Sequence, residues 1–111
     1  MKDVISFEDF SCVDLRVGTI IGVMDFPEAR KPAYQLTIDF GPLGVRKSSA
    51  QITTLYAKSD LLDKQIIAVV NFPKKQIGKF MSECLILGAV QNDDVILLHP
   101  ETHVKNGSTV S

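Results

Sequence analysis

Residues 15–40 read LRVGTIIGVMDFPEARKPAYQLTIDF, and their periodicity decides what kind of domain the chain can build. Leu15, Val17, Ile21 and Val23 fall at alternate positions, as do Tyr34, Leu36, Ile38 and Phe40, the last four with Gln35, Thr37 and Asp39 between them. Successive side chains of a strand point to opposite faces, so this spacing predicts two half-buried strands rather than a helix. Between them FPEARKPA carries two prolines and mixed charge, which marks a loop. Gly41-Pro42-Leu43-Gly44 then makes a tight turn into a third strand around Val45–Ser48.

Further along, residues 52–64 (ITTLYAKSDLLDK) space Ile52, Leu55, Tyr56 and Leu62 with Ser59 as a candidate cap, which predicts one or two short helical turns. QIIAVVNF at 65–72, CLILGAV at 84–90 and DVILLHP at 94–100 are apolar runs of strand length bounded by turn residues, and Asn106-Gly107 is a turn signal in the tail. Three strands, a short helix and at least two more strands fit an all-β fold. The arrangement expected is a five-stranded OB-fold Greek-key barrel with the helix between strands 3 and 4 and terminal extensions. An SH3-like barrel would take most of the strands but leaves the helix unexplained. At 111 residues, without repeats or low-complexity linkers, a single domain spanning 1–111 is expected.

Composition narrows the function classes. Every apolar run falls far short of the roughly 20 residues of a membrane span. The first ten residues, MKDVISFEDF, carry acids where a secretory signal needs an unbroken apolar stretch, so a cytoplasmic location without membrane insertion is expected. Cys12 and Cys84 have no CxxC spacing and read as packed free thiols rather than a disulfide or zinc framework. His99 and His103 are four apart, yet Pro100 follows the first directly and denies them a shared helix face. P-loop, GxGxxG, GxSxG and HExxH patterns are all missing, so neither catalysis nor a cofactor nor a metal is expected.

Charge supplies the positive clue. The formal net charge is −1, but residues 40–82 hold seven basic and two acidic side chains, while both flanking segments are acidic. Such a middle third suits a polyanion-binding face, because a local field acts within a Debye length of roughly 8 Å. The bland alternative is a set of solvated lysines. Arg46 and Lys47, leading into Ser48, Ser49 and Gln51, form one candidate cluster, with a guanidinium able to fork to a phosphate and Gln51 able to bond a base or sugar edge. Ser49 reads equally as a helix N-cap. Arg30 and Lys31 extend the track but have Asp25 and Glu28 nearby, and Phe80 and Met81 either stack on a base or pack in a core or dimer seam.

Four pieces in order, DLRVGTI (14–20), RKSSAQIT (46–53), AVVNFPKKQIGKFMSECLILGAV (68–90) and HVKNGSTV (103–110), resemble the CsaA family, part of the wider tRNA-binding-domain family that includes the C-terminal appendix of many methionyl-tRNA synthetases. The resemblance covers essentially the whole chain. It implies an OB fold, a homodimer, recognition of tRNA by shape rather than base sequence and, for CsaA itself, a chaperone role toward unfolded or pre-export polypeptides. It also implies that the loop 71–82 faces the nucleic acid, with Lys74, Lys75 and Lys79 where phosphates pass, Gly78 permitting a turn or close approach, and Asn71 and Ser82 contacting phosphate or a 2′-hydroxyl. Turn capping is the structural alternative for Asn71 and Ser82. Where many relatives carry arginine this chain has Lys74-Lys75, and Glu83-Cys84 stands where some have Gly-Met, so Glu83 is expected to turn away from phosphate or pair with a lysine. Ile5–Phe10 and Val104–Val110 are the expected dimer seam.

Overall fold

The structure, a computed structural model, describes all residues, Met1–Ser111. Strands β1 (Leu15–Asp25), β2 (Tyr34–Asp39), β3 (Val45–Ala50), β4 (Gln65–Val69) and β7 (Leu85–Ile86) form a sheet in the order β3-β2-β1-β4-β7, all neighbours antiparallel. Helix α2 (Lys58–Leu61) connects β3 to β4. The sheet curls back on itself where the Glu83 N–H donates to the Lys47 carbonyl at 2.7 Å and the Ser48 hydroxyl to the Cys84 carbonyl at 2.9 Å, so β3 meets the approach to β7. That near-closure is the five-stranded OB barrel with its helix between the third and fourth strands. Two hairpins stand on it: β5 (Lys75–Ile77) with β6 (Phe80–Ser82), and β8 (Gly88–Gln91) with β9 (Asp94–Leu97). No helix is long and apolar enough to cross a membrane.

The barrel interior is apolar and close-packed around Ile20, Leu36, Ile38, Phe40, Leu61 and Ile66, none of which keeps solvent contact. β2 behaves as its alternation requires, with Tyr34, Leu36, Ile38 and Phe40 all buried. β1 does not. A Cβ on Gly18 would lie 2.6 Å from Ile38 Cγ2 and 2.8 Å from the Phe40 ring, so Gly18 and Ile20, not Val17 and Ile21, face the core. Only glycine lets the two backbones approach this closely. A register shift between Ile20 and Gly22 then changes the phase, leaving Ile21 47% exposed and returning Val23 to the core. Val17 is buried by different means, beneath the C-terminal segment, whose Gly107 N–H donates to the Val17 carbonyl.

That C-terminal segment is therefore part of the body rather than a free seam. β10 (Thr109–Val110) pairs with Leu15 and Arg16 at the start of β1, the Gln65 side chain bonds both backbone groups of Val104, and the Arg16 guanidinium donates to the Gly107 carbonyl. The N-terminal segment differs. Helix α1 (Phe7–Ser11) is closed by a capping box between Ser6 and Asp9 but buries none of its residues, leaving Ile5 and Phe7 exposed. Three smaller expectations also change. In α2 the buried residue is Leu61 while Leu62 faces solvent, because the helix starts after Ala57, whose N–H donates to Asp60, and Ser59 lies inside it. Ser49 caps nothing, since β3 runs through it. Cys84 is packed as expected, but Cys12 is exposed. The run at 84–90 splits into β7 and β8 on either side of Leu87, whose N–H donates to Ile67 and whose carbonyl accepts from Leu98.

Candidate nucleic-acid interface

The loop 71–82 proves to be a built hairpin. Lys75 pairs with Ser82, Gln76 with Met81 and Ile77 with Phe80, leaving a two-residue turn, Gly78-Lys79. Gly78 sits at φ 61°, the first central position at which such a turn needs a left-handed residue. Directly opposed residues share a face, so Lys75, Ile77, Phe80 and Ser82 lie on one side and Gln76 and Met81 on the other. The first side docks on the β1–β2 loop: the rings of Phe80 and Phe26 are 5.1 Å apart and tilted by 55°, and Phe26 is buried. Phe80 is thus a packing residue; Met81, on the outer side, is exposed. Lys79 projects from the turn with no acidic partner, and Lys75 likewise has none.

The three other polar candidates of this stretch are already engaged. Asn71 accepts from the Asp14 N–H at 2.9 Å and donates to the Cys12 carbonyl at 2.8 Å, so it ties the backbone after α1 to the end of β4. Ser82 makes a long contact of 3.5 Å to the Cys84 carbonyl. Lys74 lies 3.5 Å from Glu83, and the other carboxylate oxygen of Glu83 accepts from the Lys47 N–H at 3.1 Å. Glu83 therefore both fastens β3 and partners a lysine, the outcome its position beside Ser82 implied.

In the second cluster, Arg46 donates to the Val70 carbonyl at 2.8 Å, and Ser48 is fully buried with its hydroxyl on Cys84. Both help close the barrel. Lys47 and Gln51 are exposed, and their side chains make no intramolecular hydrogen bond or ion pair. Next to this closure a cleft of about 230 Å³ is lined by Phe72, Pro73, Lys75, Ser82, Cys84 and Leu85. Burial pushes the Cys84 thiol up to about 11, against a smaller opposing effect of the Arg46 charge. Such a thiol is an inert packing group at neutral pH.

A third feature was ranked last in the sequence. Arg30 and Lys31 lie across from the hairpin, and together with Gln51, Lys75 and Ile77 they border a cleft of about 350 Å³. Neither Arg30 nor Lys31 has an acidic partner, although Glu28 is close to the hairpin turn, its Cβ 3.9 Å from where a Cβ on Gly78 would stand. What brings these residues together is the docking of the hairpin on Phe26, a contact between positions 54 residues apart that no local pattern announces. Elsewhere, no group of three or more His, Cys, Asp or Glu side chains is placed to share a metal ion.

Comparison with known proteins fits this frame. A family model described as "Putative tRNA binding domain" matches residues 15–109, from the first residue of β1 to β10. The chain belongs to the tRNA-binding-domain family. Within it, the chain is 50% identical to the chaperone CsaA of Bacillus anthracis, with a TM-score of 0.94 over 98% of this chain and all of that one. It is 51% identical to the CsaA chaperone of Picrophilus torridus, with a TM-score of 0.91 over 97% of this chain and 100% of the other. It is also 36% identical to the methionine–tRNA ligase of Thermococcus onnurineus over 96% of its own length, but spans only 14% of that enzyme.

Proposed function

We propose that the chain is a non-catalytic tRNA-binding protein of the CsaA type, which holds tRNA by shape and phosphate contacts rather than by base sequence. The observation that carries the reading is the convergence of unpartnered cations on a tRNA-binding-domain barrel: Lys75 and Lys79 on the hairpin, Lys47 on β3, and Arg30 and Lys31 on the facing loop. Each ammonium set against a phosphate releases condensed counterions, which favours binding and makes it salt-dependent. Among the sequence candidates, Lys47, Gln51, Lys75 and Lys79 are then the contact residues, and Gly78 shapes the turn that presents them. Arg46, Ser48, Asn71 and Ser82 support the surface from behind, and Lys74 is held in reserve by Glu83. The catalytic domains of the ligase relatives lie outside the matched region, so an aminoacylation role is not part of the proposal.

The test is a tRNA titration at several salt concentrations. Three phosphates neutralised per protomer predict a slope of log affinity against log salt of roughly −2 to −3. A flat response sinks the electrostatic reading, and equal affinity for single-stranded DNA of matching length sinks recognition by shape.

A second reading rests on the two CsaA relatives described as chaperones and on exposed apolar side chains at Phe72, Leu85 and Met81. In it the same protein binds unfolded or pre-export polypeptides in the cytoplasm. A homodimer belongs to both readings: Val4, Ile5, Phe7 and Phe10 on and before α1 are exposed without a partner inside the chain, and a two-fold pair would present two cationic faces. Light scattering that returns a monomer mass at micromolar concentration refutes the dimer. Competition between tRNA and a reduced, unfolded polypeptide decides whether the two ligands share a surface.

A further inference from the structure

We propose that the cleft between the β1–β2 loop, the end of β3 and the β5–β6 hairpin admits one unpaired ribonucleotide of a bound RNA, a role that rests on the RNA-binding reading above. Its inner wall is apolar, with Phe26 and Ala33 buried and Ile77 half-buried, and a flat base is the part of a nucleotide that gains by leaving water for such a wall. Arg30, Lys31 and Lys75 stand around it with no carboxylate bound to any of them. The volume of about 350 Å³ suits a nucleoside unit and lies at the small end of ligand sites.

A second cleft, of about 380 Å³, adjoins the first and shares Lys31 and Gln51 with it. Its character is opposite: Thr53, Thr54 and Asp93 line it, and no apolar side chain does. An apolar compartment beside a hydroxyl- and carboxylate-bearing one, with a lysine and an amide on the shared wall, matches the alternation along a single strand of nucleic acid. The base enters the first compartment, the phosphate to the next nucleotide meets Lys31, and the next ribose reaches the hydroxyls and the Asp93 carboxylate, which accepts from a 2′-hydroxyl. A base locked in a duplex has no access to the apolar wall. An acidic peptide offers charge but no planar apolar group, and Asp93 repels it.

The experiment compares three RNAs by fluorescence anisotropy at one salt concentration: a tRNA, a blunt 12-base-pair duplex, and the same duplex with a three-nucleotide single-stranded overhang. The overhang should tighten binding by about tenfold, the low end of one base stacking on an apolar platform. Replacing Lys31→Gln together with Gln51→Ala should bring the ratio of overhang to blunt affinity close to one, with thermal melting confirming that the variant is folded. Should the parent bind tRNA yet show no preference for the overhang, the nucleotide site is refuted and the tRNA-binding reading stands. Binding to none of the three RNAs defeats both. An overhang preference that survives the double substitution places the contact elsewhere and also overturns the proposal, as does displacement of the overhang RNA by an equal concentration of poly-glutamate.

Discussion

The interior of the barrel and the cationic rim around the β5–β6 hairpin are built on opposite rules. Inside, Phe40, Leu36 and Ile38 are all completely buried, and each is held by many neighbours at once. On the rim, Lys75, Lys79, Lys31 and Gln51 touch little, and their availability comes from having no partner. Interior contacts were selected for what they exclude, rim groups for what they leave open. The two regions should therefore respond to substitution in different observables: the interior in stability, the rim in affinity and its dependence on salt.

The largest effect is expected inside. Phe40→Ala removes a fully buried ring whose edge lies against Gly18, a backbone that cannot collapse far because it is held in β1 by pairs on both sides. A loss of about 3 to 5 kcal/mol in denaturant unfolding is expected. Per folded molecule, the tRNA affinity should be unchanged. If it falls in proportion, the rim is not mechanically separate from the barrel and the contrast drawn here fails.

Cys84 lies on the boundary, and pH reads it. Its thiol is raised from an ordinary 9.0 to about 11, so the fold favours the protonated form. The stabilising contribution is complete below pH 9 and disappears as pH rises through 11, because the unfolded chain gives up that proton first. Two pH steps correspond to roughly 2 to 3 kcal/mol. Unfolding curves between pH 8 and 11 should fall more steeply for the parent than for Cys84→Ala, which keeps the lysine and tyrosine titrations common to both. Parallel curves would mean that Cys84 is not desolvated. In the same samples at pH 7.5, a thiol reagent should label the exposed Cys12 at once and Cys84 only on unfolding.

How much of this contrast was legible in the sequence depends on whether the deciding contact is local. β2 was legible because its alternation is uninterrupted and every apolar residue faces one core. β1 has the same apolar content but misled about phase: the glycine at position 18 is where a facing ring needs space, and the bulge near Gly22 moves Ile21 to the outside. A glycine inside a strand pattern does signal close approach or a bulge, so both positions carried a warning that the apolar count overrode. On the rim, the lysines were visible as charge, but their availability was not. Lys74 and Lys79 look alike in the sequence, and only tertiary geometry sets Glu83 beside the first. Arg30 and Lys31 were discounted for their acidic neighbours, yet Asp25 is paired with Lys58 instead. Asn71, read as a contact to RNA or a turn cap, is a tether to the chain before β1, across 57 positions that no local pattern spans.

The rim prediction follows from those pairings. Replacing Lys75 and Lys79 together by alanine removes two cations without partners, so the salt slope of tRNA binding should flatten by about 1.8 and affinity should fall by about tenfold at moderate salt. Stability should move by no more than about 0.5 kcal/mol per site. An unchanged slope would return these lysines to the status of solvated surface.

The smallest effect tests Glu83. Its carboxylate is split between two tasks, one oxygen accepting from the Lys47 N–H and the other lying 3.5 Å from Lys74. Glu83→Gln preserves a carbonyl-type acceptor for the backbone and removes the negative charge, so the barrel closure should survive within about 0.5 kcal/mol in thermal or denaturant unfolding. An ion pair this long and this exposed is worth about 0 to 1 kcal/mol, so freeing Lys74 can raise tRNA affinity by no more than about fivefold. The decisive form is a double-mutant cycle. Lys74→Ala should cost little in the parent, because its charge is already partly answered, and should cost more in the Glu83→Gln background, where Lys74 is free to meet phosphate. The salt slope should steepen by up to about one on Glu83→Gln and return on adding Lys74→Ala. If Lys74→Ala alone weakens tRNA binding as much as Lys79→Ala does, the carboxylate does not restrain Lys74 in solution, and the hairpin presents three equivalent lysines, as the sequence suggested.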